Sequence, residues 1–263
     1  MGENKKLVLK KDFLEGFKNL GIRSGDVVIV HTALGSFGYV CGGAQTVIEA
    51  LMESVGENGT IIMPTQSWKN LDPDRGVHWE ISEMDWQLIR ENWPAYDKDI
   101  TPSDNMGIVA EMFRTWHGVV RSGHPSRSFA AWGLHAEHIV KDHDIENVFG
   151  ENSPLHKIYQ LDGKVLLLGV EFDKCTSLHL AETLATFSKR KITEHSAVMN
   201  HGVREWISYN VLDVDDSDFL KLQEDFEKYN TISKVSIGNA QARYFSQKRL
   251  VDFAVEWFEK NRI

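Results

Sequence analysis

Apolar runs and segments of helical periodicity alternate along the first third of the chain. Between residues 11 and 20 the apolar positions recur at helical spacing, and Gly21 follows as a helix stop. Residues 26–31 form an apolar, β-branched run of the kind found in buried parallel strands. A helix is predicted over 45–55 and a second strand over 60–64. Strand, helix and strand in this order make a βαβ unit, which predicts a parallel sheet.

The alternation resumes after residue 104 and changes character after residue 191. Two extended stretches flank the Asn-His-Gly turn at 200–202, which predicts a β-hairpin. We expect an α/β fold, an αβα layered sheet with helices on both faces, plus a C-terminal antiparallel hairpin region. No repeat or linker divides the sequence, so residues 1–263 are expected to form a single domain. The further predicted helices are 106–116, 133–140, 154–159, 176–187, 216–229 and 246–260, and the further strands are 128–132, 164–170, 196–199, 203–212, 234–235 and 240–244.

Residues 66–104 interrupt the alternation with a stretch rich in Trp, Asp and Pro, and a helix is predicted near 82–92. The stretch follows the end of a predicted strand, where α/β enzymes place their substrate loops. One interpretation is therefore an inserted loop and helix that form part of a substrate site. The other is a structural flap packed by its own tryptophans, and the sequence leaves both open.

Charge and hydropathy narrow the function classes. The chain carries 29 basic and 38 acidic residues, a net charge of −9, whereas nucleic-acid-binding proteins usually carry a basic face. An acidic surface favours cationic ligands through long-range steering, although acidity also serves solubility alone. No apolar run approaches the roughly 18 residues of a membrane span, and the N-terminus lacks the apolar core of a secretory signal. We expect a cytoplasmic protein that binds neither nucleic acid nor membranes; a homo-oligomer is left open.

Cysteine and histidine usage does not indicate a metal site. Cys41 and Cys175 are the only cysteines, and they form neither a disulfide framework nor a CxxC spacing. The 11 histidines are scattered, and no HExxH motif occurs. We expect no catalytic metal.

The strongest chemical signal is the segment 169–182. A predicted buried strand ends at Val170, and a helix begins near Thr176, so the connecting loop crosses the edge of the sheet where α/β ligand sites lie. His179 and Glu182 are three residues apart and share one helix face. A carboxylate beside an imidazole fixes its tautomer and makes it a better base near neutral pH. The alternative is an incidental pair on a helix surface.

A second signal is the glycine-rich loop 30–43, which also follows a strand. Its glycines let a backbone approach a ligand closely, and the N-terminus of the following helix favours anions such as a pyrophosphate. The loop matches neither GxGxxG nor a phosphate-binding GK[ST] motif. The alternative is a plain glycine-rich turn. A weaker third signal is the segment 120–131, where two arginines and several hydroxyls suit phosphate or carboxylate recognition.

Taken in order, these segments resemble the aminoglycoside 3-N-acetyltransferase family, and the likeness covers nearly the whole chain. Each piece alone is weak, but the ordered set is specific. Two departures stand out: Thr32-Ala33 where the family often has Ser-Ser, and Cys175-Thr176 where it often has Asn-Thr. The matching pieces are 30–32, 42–43, 59–65, 121–125, 128–133, 153–154, 161–163, 167–170, 176–182 and 237–240.

The resemblance implies acetyl transfer from acetyl-CoA, without a metal, to a primary amine of an aminoglycoside or a similar small molecule. The αβα fold so implied differs from that of the common GNAT acetyltransferases. The essential histidine of the family falls on His179, and its strand-end histidine near acetyl-CoA falls on His31. The residues implied to hold coenzyme A are His31, Thr32, Ala33, Leu34, Gly38, Val40, Gly42, Gly43, Arg121, Ser122, Ser128 and Phe129.

The expected mechanism is direct transfer in a ternary complex. His179 takes a proton from the amine, Glu182 orients the imidazole, and backbone N–H groups near Thr32 or its hydroxyl stabilise the oxyanion. A covalent route through Cys175 ranks lower, since a base and an acyl donor suffice. Rival functions are a hydrolase of an amide or thioester on the same scaffold and a non-catalytic relative that binds coenzyme A. The expected acceptor-binding carboxylates are Asp72, Asp74 and Glu80.

Overall fold

The computed structural model describes residues 5–262, and it follows the predicted order of helices and strands. The strands are β1 (Leu7–Val8), β2 (Val27–Thr32), β3 (Tyr39–Val40), β4 (Thr60–Pro64), β5 (Val120–Arg121), β6 (Phe129–Gly133), β7 (Lys164–Leu168), β8 (Lys191–Asn200), β9 (Val203–Leu212), β10 (Ser233–Ile237) and β11 (Ala240–Ser246). The α-helices are α1 (Lys10–Leu20), α2 (Gly43–Val55), α3 (Trp86–Asn92), α4 (Gly107–Arg114), α5 (Ala136–Val140), α6 (Pro154–Gln160), α7 (Ser177–Leu184), α8 (Phe219–Tyr229) and α9 (Gln247–Asn261). Among residues 5–262, no helix is long and apolar enough to cross a membrane.

A mixed sheet of seven strands lies at the centre, in the order β10-β11-β7-β2-β4-β6-β5. The strand β2 pairs in parallel with β4 on one side and β7 on the other, which matches the βαβ prediction. The flanking strands are antiparallel, so the parallel pattern holds only at the centre. Short connections explain two of these antiparallel pairs: residues 238–239 join β10 to β11 and residues 122–128 join β5 to β6, whereas a parallel crossover needs a dozen or more residues. The pairs β4–β6 and β7–β11 join strands that are far apart in the sequence.

Helices cover both faces of this sheet, as the layered prediction requires. Side chains alternate along β2, so Val28 and Val30 face α1, α2 and α4, whereas Val27 and Ile29 face α5 to α9. By the same alternation, His31 is the next residue of β2 that faces α5 to α9. All residues of β7 after Lys164 are buried, which explains why this segment is the most apolar run in the sequence. The predicted α/β class, with its antiparallel hairpin β8–β9, is confirmed.

The glycine-rich loop is held in place by elements that the sequence did not predict. Residues Leu34–Phe37 form a short 3-10 helix, and β3 then pairs in parallel with β1 near the N-terminus. The Phe37 ring is buried, and its centroid lies 5.1 Å from that of the Phe13 ring in α1. Gly42 takes a left-handed conformation, with φ of 82°, and α2 begins directly after it. The glycine-rich loop is therefore held by its contacts with β1 and α1.

The inserted segment 66–104 packs on the hairpin. The backbone N–H of Tyr96 donates to the carbonyl of Ala197, and that of Asp72 donates to the carbonyl of His195. The Arg204 guanidinium of β9 donates to the carbonyl of Trp93. The insertion and the hairpin β8–β9 thus form one continuous structure above the carboxyl edge of the sheet.

A buried ion pair connects the insertion and the hairpin β8–β9 to the sheet. The Arg127 guanidinium, just before β6, donates to both carboxylate oxygens of Glu194 in β8, and both side chains are buried. Trp68 of the insertion lies over the same guanidinium, 4.9 Å from ring centroid to Arg127 Cζ. Removing one partner of such a pair leaves an uncompensated buried charge.

We predict that Glu194→Gln lowers the free energy of unfolding by about 3–5 kcal/mol, because Arg127 then stays buried without its counter-charge. The measurement is urea denaturation followed by tryptophan fluorescence. Asp213→Asn is the matched control, because Asp213 pairs with Arg190, whose side chain is 76% exposed, and its loss should cost no more than about 1 kcal/mol. Equal effects of the two substitutions would contradict the fastening role of the buried pair.

Candidate active site

A cavity of about 310 Å³ opens at the carboxyl ends of the three parallel strands. Because β2, β4 and β7 run in the same direction, their ends and the loops that follow meet at this edge. The N-terminus of α4 lies on the other side of the opening. The lining residues are Val30, His31, Thr32, Ala33, Met63, Pro64, Gln66, Asn105, Met106, Gly107, Ala110, Val170, Lys174 and Thr176.

Two predicted residues at the end of β2 bring unpartnered polar atoms to this cavity. Within the described part of the chain, His31 Nε2 and Thr32 Oγ1 are buried and have no hydrogen-bond partner. Burial, with a smaller contribution from the charge of nearby His179, lowers the pKa of His31 to about 3. His31 is therefore neutral over the physiological pH range. Buried polar atoms without partners are costly. Of the seven such side-chain atoms in residues 5–262, only these two belong to residues that line the cavity, where a ligand could bind them.

The predicted His179–Glu182 pair is formed. Glu182 Oε2 lies 2.5 Å from His179 Nδ1, across one turn of α7. The Glu182 side chain is 2% exposed, that of His179 is 16% exposed, and Phe149 stacks on the imidazole at a centroid distance of 5.0 Å. Binding through Nδ1 fixes the ring and leaves Nε2 as the nitrogen that can act on a substrate.

The second oxygen of Glu182 has partners that the sequence analysis missed. Oε1 accepts the backbone N–H of Asp215 at 3.0 Å and an N–H of the Arg262 guanidinium. Arg262 lies 80 residues beyond Glu182, just after α9, so spacing along the sequence gives no signal for this contact. The carboxylate is therefore held at both oxygens.

The pair and the cavity belong to one site. Thr176, which lines the cavity, precedes His179 by three residues, so their side chains project from the same side of the chain as α7 begins. His31 lines the cavity as well, and its pKa responds to the charge of His179. The structure thus places His31, a cavity residue, near the His179–Glu182 pair, which lies in a distant segment of the sequence and does not itself line the cavity.

The residues predicted from the third segment have structural contacts instead. The Arg121 guanidinium is buried and donates to the carbonyls of Thr65 and Thr101, each at 2.5 Å, and to the hydroxyls of Ser67 and Ser128, at 2.9 and 3.0 Å. These bonds connect the insertion to the sheet. They also occupy the N–H groups of the guanidinium that would otherwise bind a phosphate. Arg121 as a ligand of coenzyme A stays a prediction that this geometry does not favour.

The other predicted residues of this segment, Ser122, Ser128 and Phe129, also form contacts within the protein. Ser128 Oγ donates to the carbonyl of Thr65, and Ser122 Oγ accepts the backbone N–H of Phe129. The Phe129 ring is fully buried in the core. Direct contact of these three residues with coenzyme A remains a prediction, and the structure gives each of them a packing role.

The predicted residues of the glycine-rich loop divide into two groups. Ala33 lines the cavity with Thr32, whereas Leu34, Gly38, Val40, Gly42 and Gly43 lie farther along the loop. A Cβ on Gly38 would come within 2.5 Å of the Lys6 carbonyl oxygen, so this glycine is required by packing against the N-terminal segment. Among residues 5–262, no atom outside its neighbours and its own helix backbone lies within 4 Å of the Cβ position of Gly43, so a ligand can approach the first turn of α2 there.

The three candidate acceptor-binding carboxylates differ in their environments. Asp72 is buried and holds Arg90 through two bonds of 2.8 Å, and Glu80 lies 2.5 Å from Lys69 Nζ. Asp74 is exposed and forms no ion pair with any residue in 5–262; partial burial and the charge of Asp72 raise the pKa of its carboxyl. Of the three, Asp74 is the best placed to meet a cation, because its charge is not already neutralised.

Cys175 is poorly suited to act as a nucleophile. The thiol is buried, and desolvation raises its pKa to about 12, so the reactive thiolate is scarce at neutral pH. This environment disfavours the covalent route. Within residues 5–262, no group of three or more His, Cys, Asp or Glu side chains is arranged to hold a metal ion.

We predict that a small maleimide labels Cys41, which is exposed, at least about tenfold faster than Cys175 in the folded protein. Burial protects Cys175 both by excluding the reagent and by keeping the thiol protonated. The measurement is timed labelling followed by peptide mapping, with urea-unfolded protein as the control in which both cysteines react. Equal rates in the folded protein would contradict this assignment.

Comparison with known proteins identifies the family of the chain. The model of the aminoglycoside 3-N-acetyltransferase family matches residues 29–259. The chain is 40% identical to the SPbeta prophage-derived aminoglycoside N(3')-acetyltransferase-like protein YokD of Bacillus subtilis, over 96% of this chain and 93% of that protein. It is 35% identical to aminoglycoside N(3)-acetyltransferase IX of Micromonospora chalcea, over 92% of this chain and 90% of that protein.

Solved structures share the fold over nearly their full lengths. The crystal structure of YokD superposes with a TM-score of 0.93, covering 96% of this chain and 93% of that one. AAC-IIIb in a binary complex with CoASH gives a TM-score of 0.86 at 28% identity, covering 97% of both chains. Sisomicin-bound AAC-VIa gives 0.86 at 28% identity, covering 97% of this chain and 98% of that one. On its match to the family model, its identity to these relatives and its fold, the chain belongs to the aminoglycoside 3-N-acetyltransferase family.

Proposed function

We propose that the protein transfers the acetyl group of acetyl-CoA to a primary amine, with His179 as the general base. The observation that carries this proposal is an imidazole beside the sheet-edge cavity whose Nδ1 is bound by a buried carboxylate. The family supports the reaction type, and the relatives solved with CoASH and with sisomicin support the two ligand classes. The acceptor is an aminoglycoside, through its 3-amino group, or a similar amine.

The proposed step is a direct transfer. The amine arrives as an ammonium ion, and His179 Nε2 removes one proton while Nδ1–H donates to Glu182. The neutral nitrogen then attacks the thioester carbonyl; a C–N bond forms, the C–S bond breaks, and the thiol of coenzyme A leaves. The imidazolium returns a proton to the leaving sulfur, and the amide product loses its remaining extra proton to solvent. No covalent enzyme intermediate is needed.

Two polar side chains at the end of β2 are placed to assist. The backbone N–H of Ala33 already donates to the carbonyl of Leu168 at 3.0 Å, so it is not free to bind an oxyanion. The hydroxyl of Thr32 has no protein partner within residues 5–262 and is the better donor, a contact typically worth ~2.7–4 kcal/mol. His31 is neutral and supplies a hydrogen bond rather than a charge.

The acceptor is proposed to bind between the cavity and the insertion, which would make residues 66–104 part of the acceptor site. The net charge of −9 and the exposed carboxylate of Asp74 support a polycationic amine. A hydrolase on this scaffold would release thiol from acetyl-CoA without an amine. A non-catalytic relative would bind coenzyme A without turnover. The assay below separates these alternatives.

We predict amine-dependent thiol release from acetyl-CoA for the wild type and a loss of about 10²–10⁴-fold in kcat for His179→Gln, which removes the base. The measurement is a thiol assay against a panel of aminoglycosides and simpler amines, with acetyl-CoA binding followed by calorimetry. His138→Gln is the control, because His138 is exposed on α5.

Retained coenzyme binding with lost turnover in His179→Gln supports the base role, and the best amine identifies the substrate class. Thiol release without an amine would favour the hydrolase. Failure of the wild type to bind acetyl-CoA would contradict the proposal.

We predict that Asp74→Asn raises KM for a polycationic amine about threefold to tenfold and leaves kcat within about twofold, because one exposed attraction is lost. The effect should shrink at high salt, where exposed charges are screened. Glu83→Gln is the control, an exposed carboxylate elsewhere in the insertion. An equal effect of both substitutions would show that overall charge, rather than Asp74, attracts the acceptor.

A further inference from the structure

Arg262, just beyond α9, packs against the carboxylate side of the catalytic pair. Its guanidinium donates to Glu182 Oε1, and it also holds Asp218 through bonds of 2.8 and 2.5 Å. A further N–H donates to the carbonyl of Asp215 at 2.7 Å. The Phe258 ring lies beneath the guanidinium, 4.1 Å from centroid to Cζ.

This arrangement differs from an ordinary surface ion pair. The Arg262 side chain is 12% exposed and that of Glu182 is 2% exposed, so solvent screens their interaction weakly. Three separate acceptors fix the planar fork, which preserves its geometry better than a single contact would. Although burial alone would lower it, hydrogen bonds to Asp218 and Glu182 raise the pKa of the Arg262 guanidinium, which is a cation throughout the working pH range.

The guanidinium and the imidazole compete for the same carboxylate. Glu182 uses Oε2 for His179 and Oε1 for Arg262, with the Asp215 N–H as a third donor. A cation on the far oxygen offsets part of the carboxylate charge that the imidazole experiences. Without that cation the full negative charge would favour the imidazolium form, and less of the free base would exist at a given pH.

We propose that Arg262 is a positioning residue of the transfer reaction, which acts through Glu182 to hold the carboxylate in place and to keep His179 unprotonated down to a lower pH. The proposal rests on the proposed function, because it requires His179 to be the base. It adds a residue far along the sequence to the machinery of the site.

Several other charges face the pair. Asp215 and Asp218 approach from the segment before α8, and His31 approaches from β2. Lys189, beyond α7, donates to the carbonyl of Thr183 at 2.7 Å. Burial lowers the pKa of its ammonium group, and the charges of Glu182 and of Glu259 in α9 oppose this shift. Replacing Arg262 keeps all of these residues, but Asp218 loses its guanidinium partner, and its uncompensated charge acts on the imidazole in the same direction as that of Glu182. A change in the pH profile of an Arg262 variant therefore reports the guanidinium.

The test compares the pH dependence of kcat, with acetyl-CoA and amine saturating, in the wild type and Arg262→Gln. The acid limb of the profile should move to higher pH by about one pH unit, since one close opposite charge has that order of effect. On the acid side, kcat of Arg262→Gln should therefore be about tenfold lower than that of the wild type. On the alkaline plateau, the two kcat values should agree within about twofold. Because the amine titrates identically with every variant, the difference belongs to the enzyme.

Three further variants separate charge from structure. Arg262→Lys keeps a cation near Glu182 and should bring the acid limb back toward its wild-type position. Asp218→Asn weakens the anchoring of the guanidinium but leaves the cation and removes a negative charge, so it should lower stability without moving the acid limb to higher pH. Arg190→Gln is the matched control, because Arg190 pairs with Asp213 on the surface and should leave the profile unchanged.

A uniform loss of rate at every pH in Arg262→Gln, or no change, would overturn the proposal. His179→Gln is assayed alongside as the reference for the base itself. If His179→Gln remains fully active, the proposed function fails, whatever Arg262 does. If His179→Gln is inactive and the Arg262→Gln profile is not displaced, the positioning role alone is wrong.

Discussion

The site depends on the parallel pairing of β2 with β4 and β7. Parallel strands end at the same edge, so this pairing alone brings His31, Thr32 and the loop into α7 to one opening. The continuous apolar character of these strands is the reason they lie at the centre of the sheet with helices on both faces. The antiparallel strands at either side widen the sheet, and the structure that carries the insertion and the hairpin stands above the same edge.

Polar groups that would be unfavourable elsewhere are concentrated at this edge. Glu182 is almost fully buried, yet both oxygens have partners, which is the condition under which a buried charge is tolerated. His31 Nε2 and Thr32 Oγ1 are the contrary case, since no group in residues 5–262 binds them. The candidate site therefore combines a His–Glu pair whose carboxylate is bound at both oxygens with two unpartnered polar groups, an arrangement that suits the proposed catalytic role.

Local patterns allowed much of the fold and the contact between His179 and Glu182 to be predicted from the sequence. The βαβ unit and the spacing of His179 and Glu182 are short-range features, so periodicity reveals them. Arg262 was missed because its contact with Glu182 joins residues 80 apart, which no spacing rule reports. The sequence suggests that Arg121 binds a phosphate. It cannot distinguish an arginine that binds backbone carbonyls elsewhere in the same chain from one that binds a ligand. The antiparallel direction of β6 beside β4 and of β11 beside β7 was not predicted, because these strands are far apart in the sequence and no local pattern shows which strands pair.

The central claim is that His179 acts as a base on the amine and that no side chain carries the acetyl group. The most direct test is to mix the enzyme with acetyl-CoA in the absence of amine, quench within the first turnover, and measure thiol release together with the intact protein mass. Direct transfer predicts no burst of thiol and an unmodified protein until an amine is added. A burst equal to the enzyme concentration, with an acetylated peptide such as the one containing Cys175, would contradict the account.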